Sequence, residues 1–360
     1  MRALVTGATG FVGAHLARAL AARGTAVRCL VRPARPAPPP HSARPEGRSA
    51  PGSGGGAAAR RVDLLAELPV EIATGDLREP PTLAAAVAGC DTVYHCAADY
   101  RLYAPDPREM FASNVSGTDN LLAACAAAGV GRVVYTSSVG ALGLRAGADP
   151  ANGADEATPV TLDDMIGPYK RSKFEAERVA ERWAARGLPV VIVNPSTPVG
   201  EGDVKPTPTG QMVLDFLERR FPAYVDTGLN LIDVRDVAAG HLLAAERGRP
   251  GERYILGHRN MTLKEILDCL ARLTGLPSPR WRVPHWLPLG VAHVATATAH
   301  LTGRPPRATP EAVRMSRHHM FFDSSRAVRE LGLPQSPIEP ALERAVAWFR
   351  DHGYVRRRAA

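Results

Sequence analysis

The stretch "ALVTGATGFVG", residues 3 to 13, decides the fold. Its first residues are a short apolar run of the kind that forms a buried strand. Glycines follow at positions 7, 10 and 13, with Thr9 between them, and Phe11 and Val12 open an alanine-rich helical stretch. Glycine at this spacing lets the chain turn sharply, lets backbone approach a pyrophosphate, and lets the helix lie close on the strand. The uncapped N–H groups at the start of the helix favour phosphate. The stretch predicts a strand, turn and helix that hold a dinucleotide through Gly7, Thr9, Gly10, Phe11, Val12 and Gly13.

Working outward, near-continuous apolar runs recur at 26–31, 70–76, 92–98, 132–138 and 189–196. Helical stretches alternate with them at 11–23, 80–88, 107–128 and 168–186. Strands that are apolar on both faces and alternate with helices read as a parallel sheet covered on both sides. The expected fold is therefore α/β, a doubly wound parallel Rossmann sheet with a smaller C-terminal substrate-binding region. The nucleotide-binding part spans 1–196 and is completed by 229–257, where runs at 229–234 and 252–257 are expected to return to the sheet. Residues 197–228 and 258–350 form the substrate-binding region, and 351–360 a basic tail. The Pro-, Gly- and Arg-rich segment 33–60 is too poor in apolar bulk to repay ordering and reads as a flexible basic insert.

The chain has 360 residues, 45% apolar and 22% charged, an ordinary balance for a folded protein. Its net charge of +8 is local: six arginines and one acid, Glu46, lie between Arg32 and Arg61, and Arg356 to Arg358 supply the rest. The remainder of the chain is neutral, so nucleic acid is not an expected partner. Five cysteines without ligand spacing predict reduced thiols in a cytoplasmic protein and no metal site. No run is long enough for a transmembrane span. The mildly amphipathic stretch 284–302 packs on the substrate region or, alternatively, gives weak association with a membrane surface.

The second strand ends "CLVRPAR", with Arg32 and Arg35 where an NAD site places a carboxylate on the ribose 2′-hydroxyl. Guanidinium groups suit a 2′-phosphate, so NADP is the expected cofactor and NAD the alternative. Asp76 and Leu77 fit a contact to the adenine edge, or Asp76 a helix cap. Ala97 and Ala98 end the fourth strand with residues small enough for close passage beside the cofactor.

In "YKRSK", Tyr169 and Lys173 stand four apart and share a helix face. A phenol near its ordinary pKa of about 10 is a poor proton donor and acceptor at neutral pH, and an adjacent ammonium lowers it. The lysine head can also bind a nicotinamide ribose. Ser137 and Ser138 end the fifth strand on the edge where such sheets bind ligands. A hydroxyl there can hold a substrate carbonyl near the phenol. Loop 197–210 and the tyrosines Tyr100 and Tyr103 leave the same edge and shape the substrate pocket, with Thr197 and Lys205 facing a small-molecule substrate. For Lys205, a solvated loop position is the alternative.

TGxxGxxG, the strand-end serine, YxxxK and "NPS" at 194–196 together resemble the extended short-chain dehydrogenase/reductases. The resemblance implies Ser138, Tyr169 and Lys173 as catalytic residues and Asn114 as an organiser of the site. It sets Asn194, Pro195 and Ser196 beside the nicotinamide, with Tyr169 and Lys173 also touching the cofactor. The longer strings at 97–107, 165–177, 193–210 and 223–231 look like the hopanoid-associated sugar epimerase group, itself similar to dihydroflavonol reductases. This implies hydride transfer at a carbonyl or alcohol carbon, by an epimerase or, alternatively, an NADPH-dependent ketone reductase. The substrate would be a sugar, a triterpenoid-linked sugar or a ketone. A non-enzymatic NADP-sensing regulator is a further alternative. The resemblance also implies a homodimer through 107–128 and 168–186. Val139 and Gly140 follow the strand-end serine in place of carboxylates, which disfavours dehydration.

Overall fold

The computed structural model describes residues 1–33, 64–101, 106–290, 292 and 310–355. The basic insert beyond Pro33, the basic tail beyond Val355, Arg35 and Tyr103 lie outside the described residues, as does most of 284–302 beyond Gly290.

Strand β1 (Arg2–Thr6) runs into helix α1 (Phe11–Ala22), and β2 (Ala26–Val31), β3 (Val70–Thr74), α2 (Pro80–Val87) and β4 (Thr92–His95) follow. A short helix α3 (Arg108–Phe111) widens into a π turn at Ala112–Ser116 and continues as α4 (Gly117–Ala127). Then come β5 (Arg132–Thr136), α5 (Gly167–Ala185) and β6 (Val190–Pro195). Beyond these lie β7 (Thr197–Val199), α6 (Pro208–Leu217), β8 (Gly228–Asp233), α7 (Val234–Arg247), β9 (Arg253–Leu256), β10 (Arg259–Thr262) and α8 (Leu263–Thr274). The main sheet has seven strands in the order β3-β2-β1-β4-β5-β6-β9. Every pairing in it is parallel. The chain crosses over between β1 and β4, so the topological switch opens a crevice beside the glycine turn.

Side-chain alternation shows why the strands read as continuously apolar. On β1, Ala3 and Val5 face α1 and α7 with Leu16, Leu20, Val237 and Leu242, while Leu4 faces the opposite layer. That second layer joins Val93, Val133, Tyr135 and Ile192 to Leu83, Leu121, Leu122, Ala176 and Val179 from α2, α4 and α5. A separate core, with Val213, Leu217, Leu267, Leu270, Leu342 and Phe349, holds the C-terminal region together.

The late strands part company. β9 joins the main sheet beside β6, as expected. β8, expected there too, instead centres a smaller sheet with β7, β10 and the strand His319–Met320. An apolar run fixes burial but not partner, and β7, immediately after β6, starts the new sheet by pairing with β8 from Thr197 to Val199.

Gly7 has φ +72°, and a Cβ there would lie 2.7 Å from the Ala97 nitrogen on the adjoining strand end. A Cβ at Gly13 would lie 2.2 Å from the Gly7 carbonyl oxygen, so helix and strand approach this closely only with glycine. The Gly7→Ala substitution combines a left-handed residue with a backbone clash and is expected to cost at least about 1–2 kcal/mol. Thermal unfolding checks this, and an unchanged melting temperature contradicts it.

Candidate active site

The site grows from the carboxyl edge of the main sheet, around the end of β5. Thr136 closes that strand, Ser137 follows, and Ser138 turns the chain, its Oγ accepting from the Gly140 N–H at 3.0 Å. The Tyr169 phenol of α5 lies near enough to the Ser138 hydroxyl for that hydroxyl to favour its ionised form. Ser137 points elsewhere: its Oγ is buried without a partner. Of the two adjacent serines, Ser138 is the one whose hydroxyl acts on the Tyr169 phenol.

One turn further along α5, Lys173 is 3% exposed. Its ammonium donates to the Thr136 carbonyl at 2.7 Å and to the Tyr135 hydroxyl at 3.2 Å. Burial lowers its pKa to about 8. The expected lowering of the phenol by this ammonium is not what the geometry gives. Tyr169 stands above the ordinary tyrosine value because burial outweighs its bond to Ser138, and the lysine's protons go to Thr136 and Tyr135.

Asn114 sits in the π turn and is buried. Its side chain accepts from the Asp99 N–H at 2.7 Å and donates to the Asp99 carbonyl at 2.9 Å, tying the loop after β4 to the helix. It also meets the Ser172 hydroxyl at 2.9 Å, next to Lys173. The Thr118 hydroxyl spends its one proton on the Asn114 carbonyl, at 2.6 Å. That assigns the buried His95: Nε2 donates to Thr118 at 3.0 Å and Nδ1 accepts from Thr6 at 2.8 Å. Burial drives this imidazole down to about 3, so it stays neutral.

At the dinucleotide end, the N-terminus of α1 carries no side-chain cap. Arg32 follows β2 exposed, and its charge acts on both Asp76 and Asp99. Asp76 is already held by Arg78, at 2.6 Å, and Asp99 by Arg101, at 2.5 Å. Both carboxyls lie below the usual carboxylate range. Leu77 is buried against Gly117, where an added Cβ would come within 2.8 Å of it. Ala97 donates its N–H to Thr6, and Ala97 and Ala98 are partly exposed along the crevice.

Asn194 and Pro195 end β6 fully buried, with Ser196 beside them. The Asn194 amide donates to the Ser138 carbonyl at 3.1 Å, fixing the turn that follows β5. Asn194 Oδ1 and Ser196 Oγ are buried without partners. On the substrate side, the Tyr100 hydroxyl donates to the carbonyl of exposed Lys205 at 3.0 Å, joining the two loops expected to line the pocket. Thr197 opens β7. Asp203, buried in that loop, accepts from the Thr207 N–H and hydroxyl, and burial raises it to about 6.

Sequence reasoning did not single out Tyr135, His95, Thr118, Arg78, Arg101 or Glu177. Only Glu177 carried a visible signal, being four residues beyond Lys173 and so on its face. Among the described residues no group of His, Cys, Asp and Glu side chains forms a metal site, and no helix is long and apolar enough to cross a membrane.

The chain belongs to the NAD dependent epimerase/dehydratase family, whose model matches residues 3–257. A Synechocystis protein provisionally named dihydroflavonol 4-reductase is 47% identical over 356 residues, covering 98% of this chain and 95% of its own. Sterol demethylase protein B of Methylococcus capsulatus is 36% identical over 359 residues, covering 99% of this chain and all of its own. The solved structure of a nucleoside-diphosphate-sugar epimerase from Pseudomonas aeruginosa superposes with a TM-score of 0.73 at 28% identity over 99% of both chains. An α/β chain with a seven-stranded parallel Rossmann sheet in an NAD-dependent family is thereby established.

Replacing Asn114 with Ala removes its bonds to Asp99 and Ser172 and strands a buried donor and acceptor. The expected loss is about 1–3 kcal/mol of folding stability, read by chemical denaturation. A loss near zero contradicts the site as drawn.

Proposed function

We propose that this chain is an NADPH-dependent reductase of a ketone or aldehyde carbonyl, with Ser138, Tyr169 and Lys173 as its catalytic residues. The observation that carries the reading is the seating of α5 on the end of β5, where the buried Lys173 ammonium donates to the Thr136 carbonyl at 2.7 Å, one helical turn from Tyr169 and two residues before Ser138. When bound, the dinucleotide supplies the hydride that reduces the carbonyl carbon. The chain's residues do the rest. Ser138 donates to the carbonyl oxygen and holds it at the phenol. Tyr169 gives that oxygen its proton as negative charge develops there. Lys173 lies a turn away to bind the ribose and to favour the phenolate once the proton has left.

Two features of the chain fit the dinucleotide. The absence of a Cβ at Gly7 and Gly13 lets the turn pack directly on the end of β4 and on the start of α1, which carries no side-chain cap and keeps its N–H groups for a pyrophosphate. Buried Ser137 Oγ and Ser196 Oγ stand unpartnered at the carboxyl edge. Gly7, Thr9, Gly10, Phe11, Val12 and Gly13 would hold the pyrophosphate, Ala97 and Ala98 would pass beside the ring, and Asn194, Pro195 and Ser196 would flank the nicotinamide. NADP rather than NAD is favoured by Arg32. Asp76 and Asp99, the carboxylates nearest it, are engaged by Arg78 and Arg101, and among the described residues nothing pairs with Arg32. That leaves positive charge for a 2′-phosphate. Arg35 and Tyr103 keep their proposed roles on sequence alone.

Reduction is favoured over epimerisation because a reductase and a sterol-processing protein stand among the similar proteins at 36–47% identity. Val139 and Gly140 after the strand-end serine supply no further acid or base. The Pseudomonas structure supports the second reading only as far as a sugar epimerase; that it is of the hopanoid-associated type, acting on a nucleotide sugar or triterpenoid-linked sugar, rests on the sequence strings alone. Tyr100, Thr197 and Lys205 would shape the pocket in either case. A homodimer through the helices around α4 and α5, and weak contact with a membrane surface, complete the proposal.

The test is NADPH and NADH consumption with a flavanonol ketone, a keto-triterpenoid and a nucleotide sugar. Net NADPH oxidation over many turnovers is the expected result; isomerised product without net oxidation favours the epimerase. Tyr169→Phe should keep NADPH affinity and lose turnover by at least about 100-fold, and undiminished turnover contradicts the assignment. Turnover should also fall as pH rises through about 8, where Lys173 loses its proton. A profile flat to pH 10 contradicts the role given to the ammonium.

A further inference from the structure

Glu177 is a fully buried carboxylate in the layer where α5 packs on β6 and β9. Its Oε2 accepts from the Asn194 amide at 2.8 Å, and that same amide nitrogen donates to the Ser138 carbonyl at 3.1 Å. Its Oε1 meets Arg253 of β9 and Arg178 of its own helix, each at 3.2 Å. Lys173 lies one turn before it on the same helical face. A charge removed from water this completely is tolerated only where partners answer it, and here the partners lead to two of the three catalytic residues.

Resting on the reading just given, we propose that Glu177 is a positioning residue: its carboxylate clamps the Ser138 strand end through Asn194 and is the anion against which Lys173 is held as an ammonium. The groups facing Lys173 leave no other candidate for that anion among the described residues. From β4, His95 is neutral, and Cys96, pushed up to about 11 by burial, remains a thiol. From β5, Tyr135 is raised well above the ordinary phenol value and stays protonated. On α5, Tyr169 is raised as well. Burial pulls Lys173 toward the neutral amine, and Glu177 is first among the groups that oppose it. Around Glu177 itself, Arg253 and Arg178 each stand at 3.2 Å, and Glu181 pairs with Arg178 on the same helix.

The chain holds only four lysines, Lys170, Lys173, Lys205 and Lys264. Lysine-selective carbon-13 labelling of the full-length protein therefore gives four titrating signals, assigned by single Lys→Arg variants. The wild-type Lys173 signal is expected to titrate near about 8. In Glu177→Gln the midpoint should fall by about one pH unit or more, while Glu177→Asp should keep it close to wild type. NADPH affinity, followed by the cofactor's fluorescence, should weaken at correspondingly lower pH in Glu177→Gln. A Lys173 midpoint identical in Glu177→Gln and wild type overturns the proposal. Should Glu177→Gln fail to fold, Arg253→Met serves instead. It takes a cation away from the pair and should raise the midpoint; no change or a fall overturns the proposal. If Tyr169→Phe keeps full turnover, the catalytic reading fails whatever Lys173 does. If Tyr169→Phe is inactive and Lys173 ignores Glu177, only the role of Glu177 fails.

Discussion

Burying an ammonium costs several kcal/mol unless other groups replace the water it loses. Lys173, almost wholly enclosed, meets that requirement with the last carbonyl of β5 and the hydroxyl of Tyr135. The constraint orders its surroundings. Tyr135 must point into the α5 layer, the strand must end where its carbonyl can reach Lys173, and the helix must start early enough to bring Tyr169 over the next residues. The glycine turn at β1 imposes the matching constraint on the other flank, where only residues without a Cβ allow α1 and the end of β4 to come together.

These two constraints meet across a polar interior that is otherwise neutral. His95 is held between Thr6 of β1 and Thr118 of α4, and Asn114 links α4 to both the β4 loop and α5. The bonds link β1 to β4, β4 to α4, the loop after β4 to the π turn and that turn to α5, so the carboxyl edge is braced from inside. Beside this network stand the ion pair of Glu177 with Arg253 and the arginines of the rim, Arg32, Arg78 and Arg101. A braced and sparsely charged edge is what electrostatic preorganisation requires.

Much of this was legible in the sequence, for definable reasons. The glycine spacing, the length of each apolar run and the i, i+4 relation of Tyr169 to Lys173 are local patterns, and the strands fall within a few residues of where those patterns end. What was illegible depends on partners far along the chain. "LNLID" looked like another strand of the main sheet, yet β7 captures it for the smaller one. Asp76 read as an adenine contact or a helix cap, and its ion pair with Arg78, two residues on, was not foreseen. Tyr135 read as one more core residue, because alternation tells which face a side chain takes but not that an ammonium waits there. Glu177 could be placed on the lysine's face, while Asn194 and Arg253 come to it only through sheet order.

The central claim is spatial: a phenol and an alcohol converge on one reacting oxygen beside the dinucleotide, with an ammonium one helical turn away on its ribose. A crystal structure of the protein with NADPH and a poorly reduced ketone tests it most directly. The account predicts Tyr169 Oη and Ser138 Oγ both within about 2.6–3.2 Å of the ketone oxygen, with Lys173 Nζ on the ribose. A ketone seated away from Tyr169, or a Ser138 turned from it, would contradict the account.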